Sequence, residues 1–283
     1  EKLKDKKTVI LKPNFVVPEA AEGCSTTHPD FYMTLAETLQ SMGKDVGVGD
    51  SPAFGSCAKA LRFHNVYEEC LSKNIEVVEF KKKETYAGLE DDKSYQTLTI
   101  AKELQKFDAL INVPKLKVHQ QFVFTAATKN LYGCIVGKGK VYRHNVCKND
   151  PVRFAQMVIA NAEKANALFH ISDGINAMHV KGPRGGKPYP LGKVIASDSY
   201  LAHDWLFCEL ISLDQMETPL FKALSDEERA GLREVCRPWI ESKDFERAKG
   251  FVHSYLIDIS FSPMALVRSA YRSMKFKLKA RRL

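Results

Sequence analysis

The chain has 283 residues, of which 45% are hydrophobic and 27% are charged. These are the proportions of a globular protein, and a chain of this length can bury a large core. No run of about 18 apolar residues occurs, so the sequence predicts no transmembrane helix. The chain begins at Glu1 rather than at a methionine, which leaves open whether a leader preceded it.

The net charge of +8 is concentrated at the C-terminal end of the chain. Residues 264–283 include seven lysines and arginines and no acidic residue, so the preceding residues are close to neutral. A nucleic-acid partner is therefore not predicted. Apolar and basic residues alternate here in a partly helical pattern that suits an anionic membrane surface. The alternative is a helix packed on the body with a solvated basic end.

The seven cysteines are widely spread, and no Cys-x-x-Cys spacing occurs. Their odd number and their distribution argue against a disulfide framework, a zinc ribbon and a ferredoxin-type cluster. We therefore expect a reducing, cytoplasmic compartment, with most of the thiols buried as small apolar groups.

The first third of the chain alternates between predicted strands and helices. Strands are predicted over residues 8–16, 45–48 and 75–80, and helices over residues 29–42 and 56–74. In the first helix apolar residues recur at helical spacing, with a proline in the first turn and a glycine after the last. The order β-α-β-α-β is typical of a parallel sheet with crossover helices.

The rest of the chain continues this pattern around a long irregular stretch. Further strands are predicted over residues 95–100, 108–114, 168–172 and 191–196, and further helices over residues 151–167 and 200–213. Residues 81–93 are charged and are expected to form a surface excursion, and residues 173–186 a glycine-rich loop. Residues 115–149 lack clear periodicity, which in a compact domain usually marks a functional segment.

These elements predict an α/β fold with a mainly parallel sheet and helices on both faces. Beyond residue 213 the pattern is helical and more polar. The predicted domains are therefore an α/β unit over residues 1–213 and a helical C-terminal extension with a basic tail over residues 214–283.

Polar residues follow several predicted strands, at the edge where open α/β sheets bind ligands. Lys12 and Asn14 end the first strand, and a lysine there can meet a carboxylate or a phosphate. Asp50 and Ser51 follow the second strand, where small residues leave backbone N–H groups free to face an anion. The alternatives are a surface lysine before a capped helix and an ordinary strand-to-helix turn.

The strongest candidate follows the strand over residues 108–114. If the sequence PKLKVH is extended, Lys115, Lys117 and His119 lie on one side, because side chains alternate along a strand. Two ammonium groups and an imidazole make an anion site or an acid/base site, since burial and neighbours can bring their pKa values towards neutral pH. Lys129 and Asn130 follow. The alternative is a solvated basic edge strand.

Two glycine-rich segments add further candidates. Lys140 and His144 lie among glycines that permit close backbone approach, and basic groups there suit an anion unless the segment is a flexible surface loop. Asp173 and His179 stand in the second segment, whereas His203 is expected on a helix surface.

The sequence leaves open whether the chain binds a divalent metal. His28, His119, His144 and His179 could converge with aspartates in the fold. No local spacing such as HExxH supports a metal centre, so the ligands and the metal stay unassigned.

Seven motifs occur along the chain in a fixed order: ILKPNFV, TTHPDF, VGDSPAFG, DALINVPKLKVH, TAATKNLYGCIVGKGKVYRH, DGINAMHVKGPRGG and ASDSYLAHD. Together they resemble the DUF362 family over roughly residues 8–213. The resemblance implies a largely uncharacterised activity, and many members of the family carry a ferredoxin-type iron–sulfur insertion or fusion. The family is also distantly similar to the nickel-pincer lactate racemase group in its α/β organisation and its use of histidine and lysine.

This chain departs from the iron–sulfur pattern of the family. After His144 it contains only Cys147 before the helix predicted from Pro151. No iron–sulfur cluster is therefore expected in this chain.

The function that these residues favour is an enzyme acting on a small anionic substrate. The candidate catalytic residues are Lys117, His119, His144 and Asp173. The candidate substrate-binding residues are Lys12, Asn14, Asp50, Ser51, Lys115, Lys129, Asn130 and Lys140. One alternative is a metal- or redox-cofactor protein that works with a separate ferredoxin-like partner, and another is a module that binds an anionic membrane surface through the basic tail.

Overall fold

The computed structural model describes residues 1–87, 97–136, 140, 143, 147 and 149–256. His144 and the basic residues 264–283 lie outside these ranges, so the predictions made for them stay predictions. Among the described helices, none combines the length and the apolar composition needed to cross a bilayer.

Most of the described strands form one mixed sheet that is mainly parallel. They are β1 Thr8–Pro13, β2 Asp45–Asp50, β3 Glu76–Glu79, β4 Lys83–Ala87, β5 Thr97–Ala101, β6 Ala109–Val113, β7 Lys115–His119, β8 Val123–Thr125, β9 Phe169–His179, β10 Lys187–Tyr189 and β11 Lys193–Ser197. Within the described residues nine of them form one sheet in the order β3-β2-β1-β6-β9-β7-β8, with β10 and β11 paired to β9. The pairings from β3 through β9 to β7 are parallel, as predicted.

Helices cover both faces of this sheet. They are α1 Pro29–Ser41, α2 Cys57–Phe63, α3 Tyr67–Ser72, α4 Ala127–Leu131, α5 Pro151–Ala165, α6 Tyr200–Leu210, α7 Pro219–Lys222 and α8 Asp226–Ile240. Val9 and Leu11 of β1 pack in the core beside α1 and α2, whereas Ile10 packs on the other side beside α4 and α5. This alternation confirms the α/β class with two helical layers.

The predicted helix over residues 56–74 is divided in two. Asn65 adopts a positive φ of 59° between α2 and α3. Asparagine tolerates this left-handed conformation, which ends one helix and lets the chain turn before the next.

The predicted glycine-rich loop after residue 172 is wrong in its first half, because β9 continues to His179. The backbone there pairs with β7 on one side and with β10 and β11 on the other. Gly174 lets these neighbours approach, since a Cβ at this position would lie 2.6 Å from the carbonyl oxygen of Lys193 and 2.7 Å from the Leu116 side chain.

Two further expectations are corrected. Residues 115–125 are not irregular, because β7 and β8 form an antiparallel hairpin. His203 is not on a helix surface but is fully buried in α6, where its Nδ1 lies 3.1 Å from Asp204 Oδ1.

The described part of the C-terminal extension packs into the main core. Phe221 of α7, Cys236 of α8 and Phe251 belong to the same hydrophobic cluster as α5 and α6. The division into two units at residue 213 stays a prediction.

Candidate functional site: buried lysines at the sheet edge

The parallel strands bring the predicted polar residues to one edge of the sheet. Lys12 stands near the end of β1, directly beside Asn112 of β6 in the strand register. Asp50 is the last residue of β2. Because the strands run in one direction, their carboxyl ends and the residues after them meet at this edge.

Lys12 and Asp50 form a buried ion pair at the centre of this edge. Lys12 Nζ lies 2.8 Å from Asp50 Oδ1, and the Lys12 side chain is 0% exposed. The second carboxylate oxygen of Asp50 accepts from the backbone amide of Phe15 at 2.9 Å. Gly133 packs directly against the pair, since a Cβ there would lie 2.7 Å from both Lys12 Cε and Asp50 Oδ1.

A second buried ion pair joins β7 to β9. Lys115 Nζ lies 2.7 Å from Asp173 Oδ2, and both residues are at most 2% exposed. The same oxygen accepts from the backbone amide of His28 at 2.9 Å. This pair therefore fastens the start of α1 to the centre of the sheet.

Lys117 differs from these two lysines because its contacts are neutral oxygens. Its Nζ donates to Asn14 Oδ1 at 2.7 Å and to the backbone carbonyl of Ser25, and the side chain is fully buried. Burial away from water lowers the pKa of Lys117 well below its usual 10.5, and the charges of Lys115 and Lys129 lower it further.

Three asparagines connect the lysines into one cluster. Asn14 Nδ2 donates to Asn130 Oδ1 at 2.7 Å, and Asn130 Nδ2 donates to Asn112 Oδ1 at 2.8 Å. Lys12 Nζ also approaches Asn130 Oδ1 at 3.4 Å. We call Lys12, Asn14, Asp50, Asn112, Lys117 and Asn130 the lysine–asparagine cluster.

Lys129 and Lys140 extend the positive charge beyond this cluster. Lys129 Nζ lies 4.3 Å from the centre of the Tyr132 ring, and burial, with repulsion from other lysines, lowers its pKa to about 7. Lys140 Nζ donates to the backbone carbonyls of Ser51 and Gly133, and burial lowers its pKa to about 8. Both groups can change their charge in the neutral to mildly alkaline range.

The other predicted site residues lie outside the lysine–asparagine cluster. Ser51 contributes its carbonyl oxygen to Lys140. His119 is buried at the end of β7, where its Nδ1 accepts from the backbone amide of Gln121 at 3.0 Å. His179 lies against Tyr189 and accepts at 3.3 Å from the amide of Val252, at the far end of β9.

The described residues contain no group of three or more His, Cys, Asp or Glu side chains able to hold a metal ion. All seven cysteines are buried free thiols. Within the described ranges, the side chains therefore offer no ligand set of this kind to a divalent metal or an iron–sulfur cluster.

Two segments lie beside Lys117 and the end of its strand. Residues 14–28 contact Lys117 through Asn14 and Ser25, and the carbonyl of Gly182 accepts from the amide of Gln120 just after β7. An ion pair between Glu19 and Arg184, with Nε to Oε2 at 2.8 Å, links the two segments. The lysines are closed off from solvent in this arrangement.

Sequence reasoning missed His170, which reaches the cluster from β9. Its Nδ1 lies 3.1 Å from Asn112 Nδ2, and the residue is 1% exposed. The available signal was a histidine between Phe169 and Ile171 in a predicted strand, where a polar ring needs a buried partner.

Comparison with known proteins identifies the family. The family model DUF362, described as a domain of unknown function, matches residues 9–209. The chain belongs to the DUF362 family. The resemblance carried by the seven motifs is thereby confirmed.

Two individual proteins are similar to this DUF362 chain. A thylakoid-associated protein of Synechocystis sp. is 32% identical over 269 residues, which cover 93% of this chain and 82% of that protein. The structure of the lactate racemase apoprotein from Thermoanaerobacterium thermosaccharolyticum superposes with a TM-score of 0.48 and 12% identity. That superposition covers 72% of this chain, which spans only half of that structure.

Gly133→Ala is expected to destabilise the protein by about 2–4 kcal/mol, because the added methyl group overpacks a buried ion pair. The measurement is urea unfolding of the wild type and the variant. Gly231→Ala in α8 is the matched control: a Cβ there meets nothing within 4 Å, and alanine favours a helix by up to about 1 kcal/mol. Equal effects of the two substitutions would contradict the packing at Gly133.

Lys129→Met is expected to flatten the pH dependence of stability between pH 7 and 10.5. In this interval the native chain has released the Lys129 proton, given its pKa of about 7, while the unfolded chain with an ordinary value of 10.5 still holds it. The free energy of unfolding therefore rises with pH across the interval, and this contribution vanishes with the amine. Urea unfolding at several pH values measures this slope, and the exposed Lys222→Met is the control. If Lys129→Met leaves the slope unchanged, the lowered pKa of Lys129 is contradicted.

Proposed function

We propose that this DUF362 protein is an enzyme that acts on a small anionic molecule at the lysine–asparagine cluster, with Lys117 as its acid/base group. The observation that carries the proposal is the fully buried Lys117 amine, which contacts only neutral oxygens. The substrate class is a small carboxylate or phosphate.

The charge balance of the site supports an anionic ligand. Among the described residues, Lys12 and Lys115 each pair with a carboxylate, whereas Lys117, Lys129 and Lys140 form no ion pair. Three buried lysine amines without a carboxylate partner favour an anion, because a bound anion supplies the missing counter-charge in a region of low dielectric.

The same amine supports acid/base chemistry. A lysine is a poor base at neutral pH when its pKa is near 10.5, and burial lowers that of Lys117 well below this value. A neutral amine within hydrogen-bond reach of a bound carboxylate or phosphate can take a proton from the substrate and return it. His119, at the end of the same strand, is the second candidate for proton transfer, as is His144 outside the described residues.

Substrate entry to the buried Lys117 requires residues 14–28 and the neighbouring segment at Gly182 to move. The Glu19–Arg184 ion pair that joins them is partly exposed, with Arg184 44% exposed, so it contributes little to stability. A contact of this kind can open at low cost and leave the sheet intact. The paired aspartate, Asp173, then keeps the start of α1 in place through the amide of His28.

Lys117→Met is expected to weaken anion binding by about tenfold or more, since a hydrogen bond to a charged group contributes roughly 1.5–3 kcal/mol. The probes are inorganic phosphate, acetate and succinate, measured by calorimetry at low salt. Methionine fills a similar volume without a buried charge, so we expect the variant to fold.

Lys222→Met, an exposed lysine of α7, is the matched control and should bind like the wild type. Binding that Lys117→Met leaves intact, or the absence of binding of every probe by the wild type, would overturn the proposed function.

A second candidate is peripheral attachment to an anionic membrane surface. It is supported by the relative described as thylakoid-associated and by the seven basic residues within positions 264–283. Basic residues near an anionic surface contribute about 1 kcal/mol each.

Sedimentation with vesicles of phosphatidylglycerol and phosphatidylcholine tests this candidate. The full chain should pellet with these vesicles at low salt, and a version ending at Ser262 should stay in the supernatant. Vesicles of phosphatidylcholine alone are the control. If both versions pellet equally, the basic segment is not the attachment.

A further inference from the structure

The three asparagines of the cluster form a one-way chain of hydrogen bonds. Lys117 Nζ donates to Asn14 Oδ1 at 2.7 Å, Asn14 Nδ2 to Asn130 Oδ1 at 2.7 Å, and Asn130 Nδ2 to Asn112 Oδ1 at 2.8 Å. Asn112 Nδ2 then lies 3.1 Å from His170 Nδ1. Each amide thus presents its oxygen towards Lys117 and its nitrogen away from it.

The direction of the chain is fixed by groups that can only donate or only accept. Asn130 turns its Oδ1 towards Asn14, so Asn14 must present Nδ2 to it and Oδ1 to Lys117. A backbone carbonyl only accepts, and Asn130 Nδ2 also donates to the carbonyl of Lys12 at 3.2 Å, while Asn112 Nδ2 donates to that of Ala127 at 2.9 Å. None of the three amides can turn over without facing a group of the wrong kind.

The far end of the chain is a neutral histidine. Burial, with the nearby His203, lowers the pKa of His170 to about 3, so the ring carries no charge at neutral pH. Its Nδ1 accepts from Asn112, which places the ring proton on Nε2. The chain therefore ends on an acceptor and keeps its direction.

Aligned amides act on the charge of Lys117. Their dipoles run head to tail with the negative ends towards the amine, and hydrogen bonds in such a chain polarise one another. The charged groups around Lys117 are Glu19 and Asp50, which favour its protonated form, and Lys115 and Lys129, which oppose it. Burial also opposes the charge, so the amide chain works against burial.

We propose that Asn130 and Asn112 are positioning residues that hold the Asn14 oxygen on the Lys117 amine and thereby favour its protonated form. Neither forms a hydrogen bond with Lys117 itself. The role of Lys117 as an acid/base group rests on the proposed function, but the effect on its charge does not.

The test is an NMR titration of Lys117 in the ligand-free full chain with labelled lysine side chains, its signal assigned by its loss in Lys117→Met. Asn130→Leu removes the centre of the chain and should lower the pKa of Lys117. Asn130→Asp keeps the shape but adds a negative charge two hydrogen bonds away and should raise it. Shifts of about one unit or more in opposite directions are expected.

Asn161 supplies the matched control. It is fully buried in α5 and donates to the carbonyl of Met157 at 2.8 Å, outside the chain of amides. Asn161→Leu and Asn161→Asp should leave the pKa of Lys117 unchanged, even where they cost stability.

Several results would overturn the inference. One is a Lys117 pKa that neither Asn130 variant moves, and another is a pKa that the Asn161 variants move equally. If Asn130→Leu does not fold, Asn112→Leu removes the next amide of the chain and should lower the pKa of Lys117 in its place. Because no ligand is present, the outcome is separate from that of the phosphate and carboxylate experiments.

Discussion

The structure of this site depends on one constraint, the burial of lysine ammonium groups at the edge of a parallel sheet. Lys12, Lys115 and Lys117 are each at most 2% exposed. A buried ammonium group is tolerated only if hydrogen bonds or a counter-charge replace its water. Asn14 after β1, the carbonyl of Ser25 and Asn130 of the short helix α4 contribute oxygens that meet this requirement.

The three lysines meet this requirement in two different ways. The difference distinguishes the two ion-paired lysines from Lys117, the proposed acid/base group. Lys12 and Lys115 have carboxylate partners, and a well-formed buried ion pair is close to neutral for stability. Lys117 has only amide and carbonyl oxygens, so its charge lacks a full counter-charge. Such a group costs stability in the protonated state, and proteins retain that cost chiefly at functional sites.

The sequence predicts the site residues near the ends of strands better than those inside strands. Lys12, Asn14 and Asp50 are visible because parallel strands end at one edge, and polar residues after an apolar strand are conspicuous. Asn112 and His170 lie inside strands, where their partners come from residues 18 and 58 positions away. No local pattern reports such contacts, since they depend on strand register and on which side chains face each other.

The extent of β9 shows a related limit. Residues 173–179 contain glycine and asparagine, which are weak strand formers, so propensity favours a loop. Pairing on both edges of β9 overrides that preference, because the backbone gains partners from β7, β10 and β11. Gly174 is favourable here because it has no side chain that would hold the neighbouring strands apart.

Closure of the site and the charge of Lys117 are linked. The carbonyl of Ser25 accepts from Lys117, so residues 14–28 both contact the amine and help to bury it. This burial disfavours the ammonium form through desolvation. Under the proposed function, a bound anion supplies the counter-charge that Lys117 lacks and favours that form. A neutral amide partner suits this exchange better than a carboxylate, because a fixed negative charge would keep Lys117 protonated whether or not an anion is bound.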